Sequence, residues 1–291
     1  MQKNRLKSLI HFHFIVFVFG FTAILGSLIS VDSLKLVWYR MLIATLSLLF
    51  LAPLFKKKLN ISLHILFKLF FCGLIISLHW FFFFKAIKVS NVSITLSILS
   101  LGAFMTSFLE PIIYKRKIIL YEVILGLLVV LGTAIIFKTQ FHYFEGILYA
   151  LGSVILSVFF TLFNGKLIEK MSSFTISFYE LLGGFLTVSV LLIISNDFDS
   201  DLFVLKRDDL IWLFILGTIC TAYAFVISVE VMKHLSPFSV MLSINMEPIY
   251  GIVLAIIFLS ESENMSYEFY IGFLLIFISV ILNGIMKLLN K

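Results

Sequence analysis

Charged residues are scarce in this chain, and their scarcity excludes an ordinary soluble domain. Of the 291 residues, 13% are charged and 61% are hydrophobic, whereas a soluble domain is about 25% charged. The apolar residues stand in long blocks, and a helix that crosses a membrane needs about 20 apolar residues in succession. The composition therefore predicts an all-α, polytopic membrane protein.

The chain also has little of what an enzyme or an ATP-driven pump needs. Its two cysteines, Cys72 and Cys220, lie within apolar stretches, which excludes the disulfide framework of a secreted protein. No GxxxxGKS or GxxxxGKT stretch occurs, so ATP is not the expected energy source. No HExxH pair, Ser/Lys dyad or aspartate pair occurs in a predicted helix, which argues against an intramembrane enzyme acting on lipid. We therefore expect no enzymatic activity, no cofactor and no metal site.

Ten apolar stretches are long enough to span a membrane. They lie at 8–29, 35–54, 69–87, 92–113, 119–137, 146–164, 174–195, 210–231, 236–259 and 268–287. The connections are short, and the longest are the basic 55–68 and the acidic 196–209. The first stretch follows basic residues but lacks a small-residue cleavage site, so we expect a retained helix and not a removed signal peptide.

Lysine and arginine are distributed unequally among the loops, and this sets the orientation because cytoplasmic loops are rich in positive residues. With the N-terminus in the cytoplasm, the inner segments contain Lys3, Arg5, Lys7, Lys56, Lys57, Lys58, Lys68, Lys115, Arg116, Lys117, Lys166, Lys170, Lys233, Lys287 and Lys291. The outer segments contain Lys35, Lys88, Lys138, Lys206 and Arg207. We therefore predict a multi-pass protein of the inner (cytoplasmic) membrane with both termini in the cytoplasm.

The same bias accounts for the net charge of +6, so the charge does not call for a nucleic-acid partner. The expected partners are membrane lipid and a small-molecule substrate, with the chain acting as a monomer or a homodimer.

Weak internal matches divide the chain into two halves. Residues 85–91 match 230–236 at an offset of 145, 121–126 match 267–272 at 146, and 38–40 match 178–180 at 140. We infer two repeats of five helices, 1–138 and 139–291. Because five is odd, the second repeat is inverted, and inverted repeats with a site at their interface are typical of secondary transporters.

The ninth stretch holds the residues around which we expect a site. Asn245, Glu247 and Pro248 lie near its middle. An acid near the bilayer centre costs at least about 2.5 kcal/mol on insertion scales, so it usually faces a partner or a cavity. Pro248 cannot donate to the carbonyl group of Ile244, which predicts a kink there. Asn245 and Glu247 are candidates to bind substrate; alternatively, Glu247 is a neutral, hydrogen-bonded strut between helices.

These features resemble the drug/metabolite transporter superfamily, specifically the EamA-type ten-helix permeases, over essentially the whole chain. The resemblance rests on Trp-Tyr-Arg at 38–40, on residues 84–93, and on Leu-Ser-Pro at 235–237 followed by Met-Glu-Pro at 246–248 and an acid at Glu261. It implies export or uptake of a small metabolite. Gly102 and Ala103 stand where the second half has its Glu-Pro, so we do not expect the first half to copy the second at this point.

Other ionisable residues fall inside the predicted helices, namely Arg40, Lys85, Glu110, Glu180 and Glu230. At about 1.5 Å per residue, Arg40 and Lys85 lie toward the outside, and Glu180 and Glu230 toward the inside. We expect a cavity with a basic outer half and an acidic inner half, which suits an amino acid or another zwitterionic or carboxylate-bearing solute. The alternative for Lys85, Glu110 and Glu230 is that they extend to the membrane interfaces.

His79 and Trp80 lie near the middle of the third helix, at about the depth of Glu247. A His–Glu pair could carry a coupling proton, because an imidazole titrates near neutral pH; the alternative is a neutral histidine bonded to a neighbouring helix. Trp80 either stacks on substrate or packs. Tyr39 and Tyr223 are secondary candidates to bind substrate, with packing as their alternative, and the remaining histidines are expected at helix ends or in loops.

We therefore expect a secondary active transporter that works by alternating access and is driven by protons or by solute exchange. The alternatives are a non-transporting membrane sensor or assembly subunit and, less well supported, an intramembrane lipid-modifying enzyme.

Overall fold

The computed structural model is a helical bundle with no β-strand among the residues that it describes, which are 2–57, 59–259 and 265–289. Side chains at 2–7, 9, 283–285 and 287–289 are not part of that description. Lys58, Glu261 and Lys291, which the sequence places in loops or at the C-terminus, lie outside the described residues.

Ten long helical units follow one another among the residues that the structure describes. The first five are α1 (Gln2–Leu28), α2 (Ser33–Leu54), α3 (Leu63–Val89), α4 in two parts (Val92–Leu99 and Leu101–Tyr114) and α5 (Leu120–Thr139). The next five are α6 (Phe144–Leu167), α7 (Ser173–Ile194), α8 (Arg207–Gly217, a π-helical turn Thr218–Tyr223, and Ala224–Glu230), α9 in two parts (Pro237–Ile244 and Glu247–Leu259) and α10 (Tyr267–Leu289).

Length and hydropathy confirm the predicted polytopic fold. Among the described residues, nine helices are long and apolar enough to cross a membrane, and α10 adds the shorter apolar stretch Tyr267–Leu282. The largest boundary differences are six residues, at α1, which begins at Gln2 and not at 8, and at α3, which begins at Leu63 and not at 69. In α3 the difference has a physical reason. The first turns of α3 carry His64 and Lys68, so a search for apolar runs omits a part of the helix that extends into the polar interface.

Polar side chains fix several helix starts. Asp32, Asn91 and Ser172 each accept a backbone hydrogen bond from the first turn of the helix that follows. Ser236 does the same for α9, with Pro237 in the first helical position, where a missing N–H has no consequence. These caps set the short loops that join consecutive membrane spans.

Several helix contacts have a counterpart elsewhere in the bundle, in which each helix is replaced by the equivalent helix of the other half. α3 packs on α7 and α8 on α2, while α1 packs on α9 and α6 on α4. α2 also packs on α7, and α5 packs on α10. Each of these two pairs consists of equivalent helices, one from each half. α1–α4 and α6–α9 therefore share one core, and α5 and α10 lie together at its edge.

Two glycines allow close helix crossings beside Arg40 and Glu180. A Cβ atom on Gly73 of α3 would lie 2.3 Å from the backbone oxygen of Glu180 on α7. A Cβ atom on Gly217 of α8 would lie 2.6 Å from the Cβ of Ile43 and 3.3 Å from the backbone oxygen of Arg40 on α2. Gly73 and Gly217 are 144 residues apart, close to the offset between the halves, so the two crossings are built alike.

α4 and α9 are both interrupted near their middles. In α9 the helix breaks at Asn245 and Met246, because Pro248 leaves the carbonyl group of Ile244 without its usual donor. In α4 the break falls at Ser100, 145 residues before Asn245 and without a proline at the equivalent position. The two halves therefore share an interruption that the sequence led us to expect only in the second half.

Candidate functional site

A cavity of about 90 Å³ lies between the helices, beside the interruptions of α4 and α9. Its walls come from α1, α2, α3, α4, α6, α8 and α9. The polar side chains that line it are Thr22, Arg40, His79, Ser157, Thr161, Ser228 and Glu247. Trp80 and Phe160 belong to its aromatic wall. Four of the residues singled out in the sequence, Arg40, His79, Trp80 and Glu247, thus come together here.

Arg40 is the fixed positive charge of this cavity and is only 2% exposed. Its Nε donates to Thr221 Oγ1 at 2.7 Å, and its Nη2 donates to the carbonyl oxygen of Cys220 at 3.4 Å. The guanidinium carbon lies 3.8 Å from the centroid of the Trp80 ring, a cation–π geometry worth about 2 kcal/mol when desolvated. In the described part of the chain Arg40 has no carboxylate within 4.0 Å. Neutral groups therefore hold the guanidinium, and no ion pair with a described residue neutralises its charge.

A π-helical turn in α8 supplies the acceptors for Arg40. This turn, Thr218–Tyr223, contains both Cys220 and Thr221. The Thr221 hydroxyl donates to the carbonyl oxygen of Leu216 at 2.6 Å, which leaves its lone pairs to accept from the guanidinium. Such turns are frequent at functional sites. The sequence does not predict this π-helical turn, because an apolar segment has the same residue pattern whether its turn is α-helical or π-helical.

His79 is held in one orientation by α6. Its Nδ1 lies 2.9 Å from the carbonyl oxygen of Ser153, which can only accept, so Nδ1 carries the hydrogen. The Ser153 hydroxyl donates in return to the backbone oxygen of His79 at 3.0 Å. In the neutral ring Nε2 is then an acceptor at the cavity wall. Among the described residues no hydrogen bond joins His79 to Glu247, so the structure shows the bonded histidine and not a His–Glu pair.

Glu247 is the first residue of the second part of α9, where the helix dipole favours negative charge. Glu247 is 7% exposed, lines the cavity and interacts electrostatically with Arg40 at a distance beyond 4.0 Å. The neighbouring Asn245 is buried at the break but does not line the cavity. Both polar atoms of its amide lack a hydrogen-bond partner among the described residues.

Glu180 does not line the cavity, contrary to our expectation of an acidic inner half. It is fully buried, accepts a hydrogen bond from Asn164 Nδ2 at 3.1 Å, and interacts with the thiol of Cys72. The physical reason is the crossing at Gly73, which brings α7 so close to α3 that Glu180 is enclosed by α3 and α6. The acid that faces the cavity is Glu247.

Three further candidates also lie away from the cavity. The Tyr39 hydroxyl donates to the carbonyl oxygen of Leu202 at 2.6 Å. Tyr223 is 41% exposed, and its hydroxyl lies 2.6 Å from Nε2 of His11. Lys85 is half-buried near the end of α3. Sequence spacing placed these residues at suitable depths but could not fix the rotation of each helix about its axis. His11 lies within α1, not in a loop.

Four residues are bonded to one another at the end of the bundle that the sequence places in the cytoplasm, and we call them the inner lock. Arg116 bonds Glu110 through Nε and Glu122 through Nη2, both at 2.9 Å. The backbone N–H of Phe238 donates to Glu110 Oε2 at 2.5 Å. The lock joins α4, α5 and α9. Glu110 is buried within it and does not extend to the interface, because Arg116 folds back over the carboxylate.

The surroundings of Arg116 favour its charged form. Burial lowers the pKa of Arg116, but its hydrogen bond to Glu122 and the charges of Glu110 and Glu122 outweigh burial and raise the pKa above its ordinary value. The sequence did not lead us to predict this lock. The available signal was an arginine six residues after one acid and six before another.

A second set of bonds, which we call the outer lock, lies at the opposite end. Asp209 at the start of α8 accepts from the Ser30 backbone N–H at 2.7 Å and from the Ser30 hydroxyl at 2.6 Å. Nζ of Lys88 donates to the carbonyl oxygens of Ile29 and Val31. The outer lock therefore ties the loop between α1 and α2 to the ends of α3 and α8.

The cavity between the two locks is small. Its volume of about 90 Å³ is below that of pockets for small molecules, which measure about 300 Å³ or more. The cavity is therefore contracted relative to such pockets.

Three comparisons with known proteins bear on this arrangement. The profile of the EamA-like transporter family matches residues 7–138 and again 144–285. Over 250 residues the chain is 25% identical to the "Uncharacterized transporter YxxF" of Bacillus subtilis (strain 168), covering 83% of this chain and 78% of that protein. One solved crystal structure superposes with a TM-score of 0.71 at 15% identity, over 94% of this chain and 96% of the other. At that identity the likeness concerns the fold alone.

Proposed function

The chain belongs to the EamA-like transporter family, and we propose that it is a secondary active transporter of a small metabolite. The proposed substrate is an amino acid or another zwitterionic or carboxylate-bearing solute. Protons or an exchanged solute supply the energy, and no enzymatic step is involved. The site of action is the cytoplasmic membrane, with both termini in the cytoplasm.

The joint presence of Arg40 and Glu247 in one central cavity is the observation that carries this proposal. A guanidinium group stays charged at all physiological pH values and suits a carboxylate geometrically. Glu247 offers the opposite charge for an amino group. Because the two groups are more than 4.0 Å apart and form no salt bridge with each other, each can bind one end of a zwitterion once the cavity widens. Low-dielectric surroundings strengthen each attraction.

Trp80 and His79 complete the proposed binding site. The Trp80 ring faces the guanidinium and offers an apolar wall for the substrate's carbon skeleton. The Nε2 acceptor of His79 can take a hydrogen bond from a substrate N–H or O–H group. Asn245, Glu180, Tyr39, Tyr223 and Lys85, which lie away from this cavity, are not part of the proposed contact surface.

Alternating access is proposed to arise from the two repeats, 1–138 and 139–291. The matched helix contacts support this division. The interruptions at Ser100 and Asn245 are places where each repeat can bend, because a broken helix lacks part of its hydrogen-bond ladder. Opening the inner lock while the outer lock holds exposes the cavity to one side, and the reverse exposes it to the other.

Counterflow in proteoliposomes tests the proposed function. Vesicles loaded with unlabelled L-amino acids and containing the protein should accumulate a radiolabelled L-amino-acid mixture, whereas a sensor or an assembly subunit would not. Accumulation no greater than in protein-free vesicles would refute amino-acid transport.

The variant Glu247→Gln should lower the counterflow rate about tenfold or more, because it loses a charge-assisted contact worth about 1.5–3 kcal/mol. Expression and melting temperature should remain as in the wild type. The exposed Glu169 provides the control Glu169→Gln, which should transport normally. An equal loss of folded Glu247→Gln protein would instead support the strut interpretation.

A further inference from the structure

Two oxygen atoms beside Glu180 lack a partner. Glu180 and Asn164 are both 0% exposed, and Asn164 Nδ2 donates to Glu180 Oε2 at 3.1 Å. Glu180 Oε1 and Asn164 Oδ1 are buried without a hydrogen-bond partner in the part of the chain that is described. Buried polar atoms are almost always paired. Because both atoms are acceptors when Glu180 is ionised, each lacks a donor.

One proton satisfies both atoms. A hydrogen on Oε1 would give the carboxylic acid a donor for the amide oxygen of Asn164, while the amide already donates to Oε2 at 3.1 Å. An ionised Glu180 would instead be a buried charge with no Lys or Arg within 4.0 Å among the described residues. Such a charge costs several kcal/mol. The arrangement therefore fits a protonated Glu180.

The groups facing Glu180 leave this conclusion unchanged. α3 contributes the thiol of Cys72, and α6 contributes Asn164. On α2 the nearest charged side chain, Arg40, is directed to Thr221 and Trp80. The acid on α8, Glu230, is paired with Lys233 at 2.7 Å.

A line of polar side chains runs from Glu180 to one end of the membrane span. Ser173, Ser177 and Glu180 are spaced i, i+4 and i+7 on α7, so they share one face. Ser177 Oγ is buried without a partner among the described residues. Ser173 hydrogen-bonds Glu230, which is exposed beside Lys233. The line covers about 10 Å and ends at the side that the sequence assigns to the cytoplasm.

The cavity lies in the other direction. Thr161 lines the cavity, and Asn164 follows three residues later on α6, so the two side chains are neighbours on that helix. The Glu180–Asn164 pair therefore lies between the cavity and the polar line on α7.

We propose that the Glu180–Asn164 pair is the proton-coupling site, which deepens the proposed function and rests on it. Glu180 binds one proton on Oε1 and holds it against Asn164 Oδ1 while the cavity is contracted. When helices separate and water reaches the pair, Oε1 releases the proton along the Ser177–Ser173 line or to the cavity, and the carboxylate is then solvated. One proton thus exchanges for each opening of the site.

Infrared spectroscopy of the full-length protein in detergent tests the protonated state without a substrate. At pH 7 the Glu180→Gln variant should lack one carboxylic-acid C=O band that the wild type shows. The Asn164→Leu variant should keep that band but shift it to higher frequency, because the acid loses its hydrogen-bond acceptor. Glu169→Gln should leave this carboxylic-acid band unchanged. If Glu180→Gln does not fold, the frequency shift of the carboxylic-acid band in Asn164→Leu decides whether Glu180 is protonated.

An unchanged carboxylic-acid band in both variants would overturn the proposal. A band that disappears when 100 mM choline chloride is replaced by 100 mM NaCl would also overturn it, since the oxygens would then bind sodium.

A transport measurement separates this proposal from the proposed function. Proteoliposomes with a trapped pH-sensitive dye receive the L-amino-acid mixture. Wild-type protein should move protons with the solute, whereas Glu180→Gln should retain at least half of the counterflow and lose the dye signal. Proton movement in Glu180→Gln equal to that of the wild type refutes the coupling role while leaving transport intact. Absence of counterflow in the wild type refutes the proposed function. The infrared bands then still show whether Glu180 in the Glu180–Asn164 pair is protonated.

Discussion

Arg40 and Glu180 occupy matching positions in the two halves, yet their surroundings differ. Both are at most 2% exposed, and each lies beside a helix crossing that contains a glycine. Arg40 has hydrogen bonds, the face of Trp80 and a position on the cavity wall. Glu180 has an amide, a thiol and one oxygen without a partner among the described residues. Since a guanidinium group cannot lose its charge, the protein must surround it with acceptors and π electrons. A carboxyl group can become neutral instead.

Replacing Arg40 should have the largest effect, because it removes the permanent charge of the pair. Arg40→Met should raise the amino-acid concentration for half-maximal counterflow about 30-fold or more, the equivalent of a lost charge contact of about 2 kcal/mol. Arg40→Lys should give an intermediate value, since it keeps the charge without the planar fork. Glu180→Gln should leave this concentration near the wild-type value. A normal half-saturating concentration for Arg40→Met would remove Arg40 from the binding site.

The two crossing glycines should respond unequally to alanine. The methyl group of Gly73→Ala would meet backbone atoms, the Glu180 oxygen at 2.3 Å and the Gly184 nitrogen at 2.7 Å, which cannot rotate away. We expect a loss of about 1–3 kcal/mol, seen as a lower melting temperature in detergent.

Gly217→Ala should cost less, because it meets the Ile43 side chain first and the Arg40 oxygen only at 3.3 Å. Gly152→Ala is the control, since its methyl group would meet only the Phe82 ring, at 2.9 Å. Equal melting temperatures for the Gly73 and Gly217 variants would show that the two crossings are equally tight.

The two cysteines offer the comparison with the smallest expected effect. Cys220 lines the cavity beside Arg40, whereas Cys72 lies beside Glu180 and does not. In the Cys72→Ala variant, a small methanethiosulfonate reagent should modify Cys220 slowly, and the L-amino-acid mixture should slow it further. In the Cys220→Ala variant, Cys72 should react only after the protein is unfolded. Mass spectrometry measures both. Equal modification of the two cysteines would contradict the separation of the two regions.

The sequence predicted the fold because the relevant information is local. Apolar runs of membrane length and the basic residues between them indicate spans and order without knowledge of packing. Glu247 was a candidate for the same reason, since an acid in an apolar run next to a proline is unusual wherever its helix packs.

The separation of Glu180 from the cavity could not be predicted, because it depends on helix rotation. Depth estimates assign Glu180 and Arg40 positions along their helices, but the crossing at Gly73 decides which neighbours enclose Glu180. The inner lock was missed for a related reason. Glu110 was considered by its depth alone, whereas its partner Phe238 is 128 residues away.

The π-helical turn of α8 holds one more residue in the middle of this span than an α-helical turn would. Such a turn can move along a helix when backbone hydrogen bonds are exchanged one at a time. Movement by a single step would swing Cys220 and Thr221 away from Arg40 while the ends of α8 stay anchored. Arg40 would then lose both hydrogen bonds that this turn supplies.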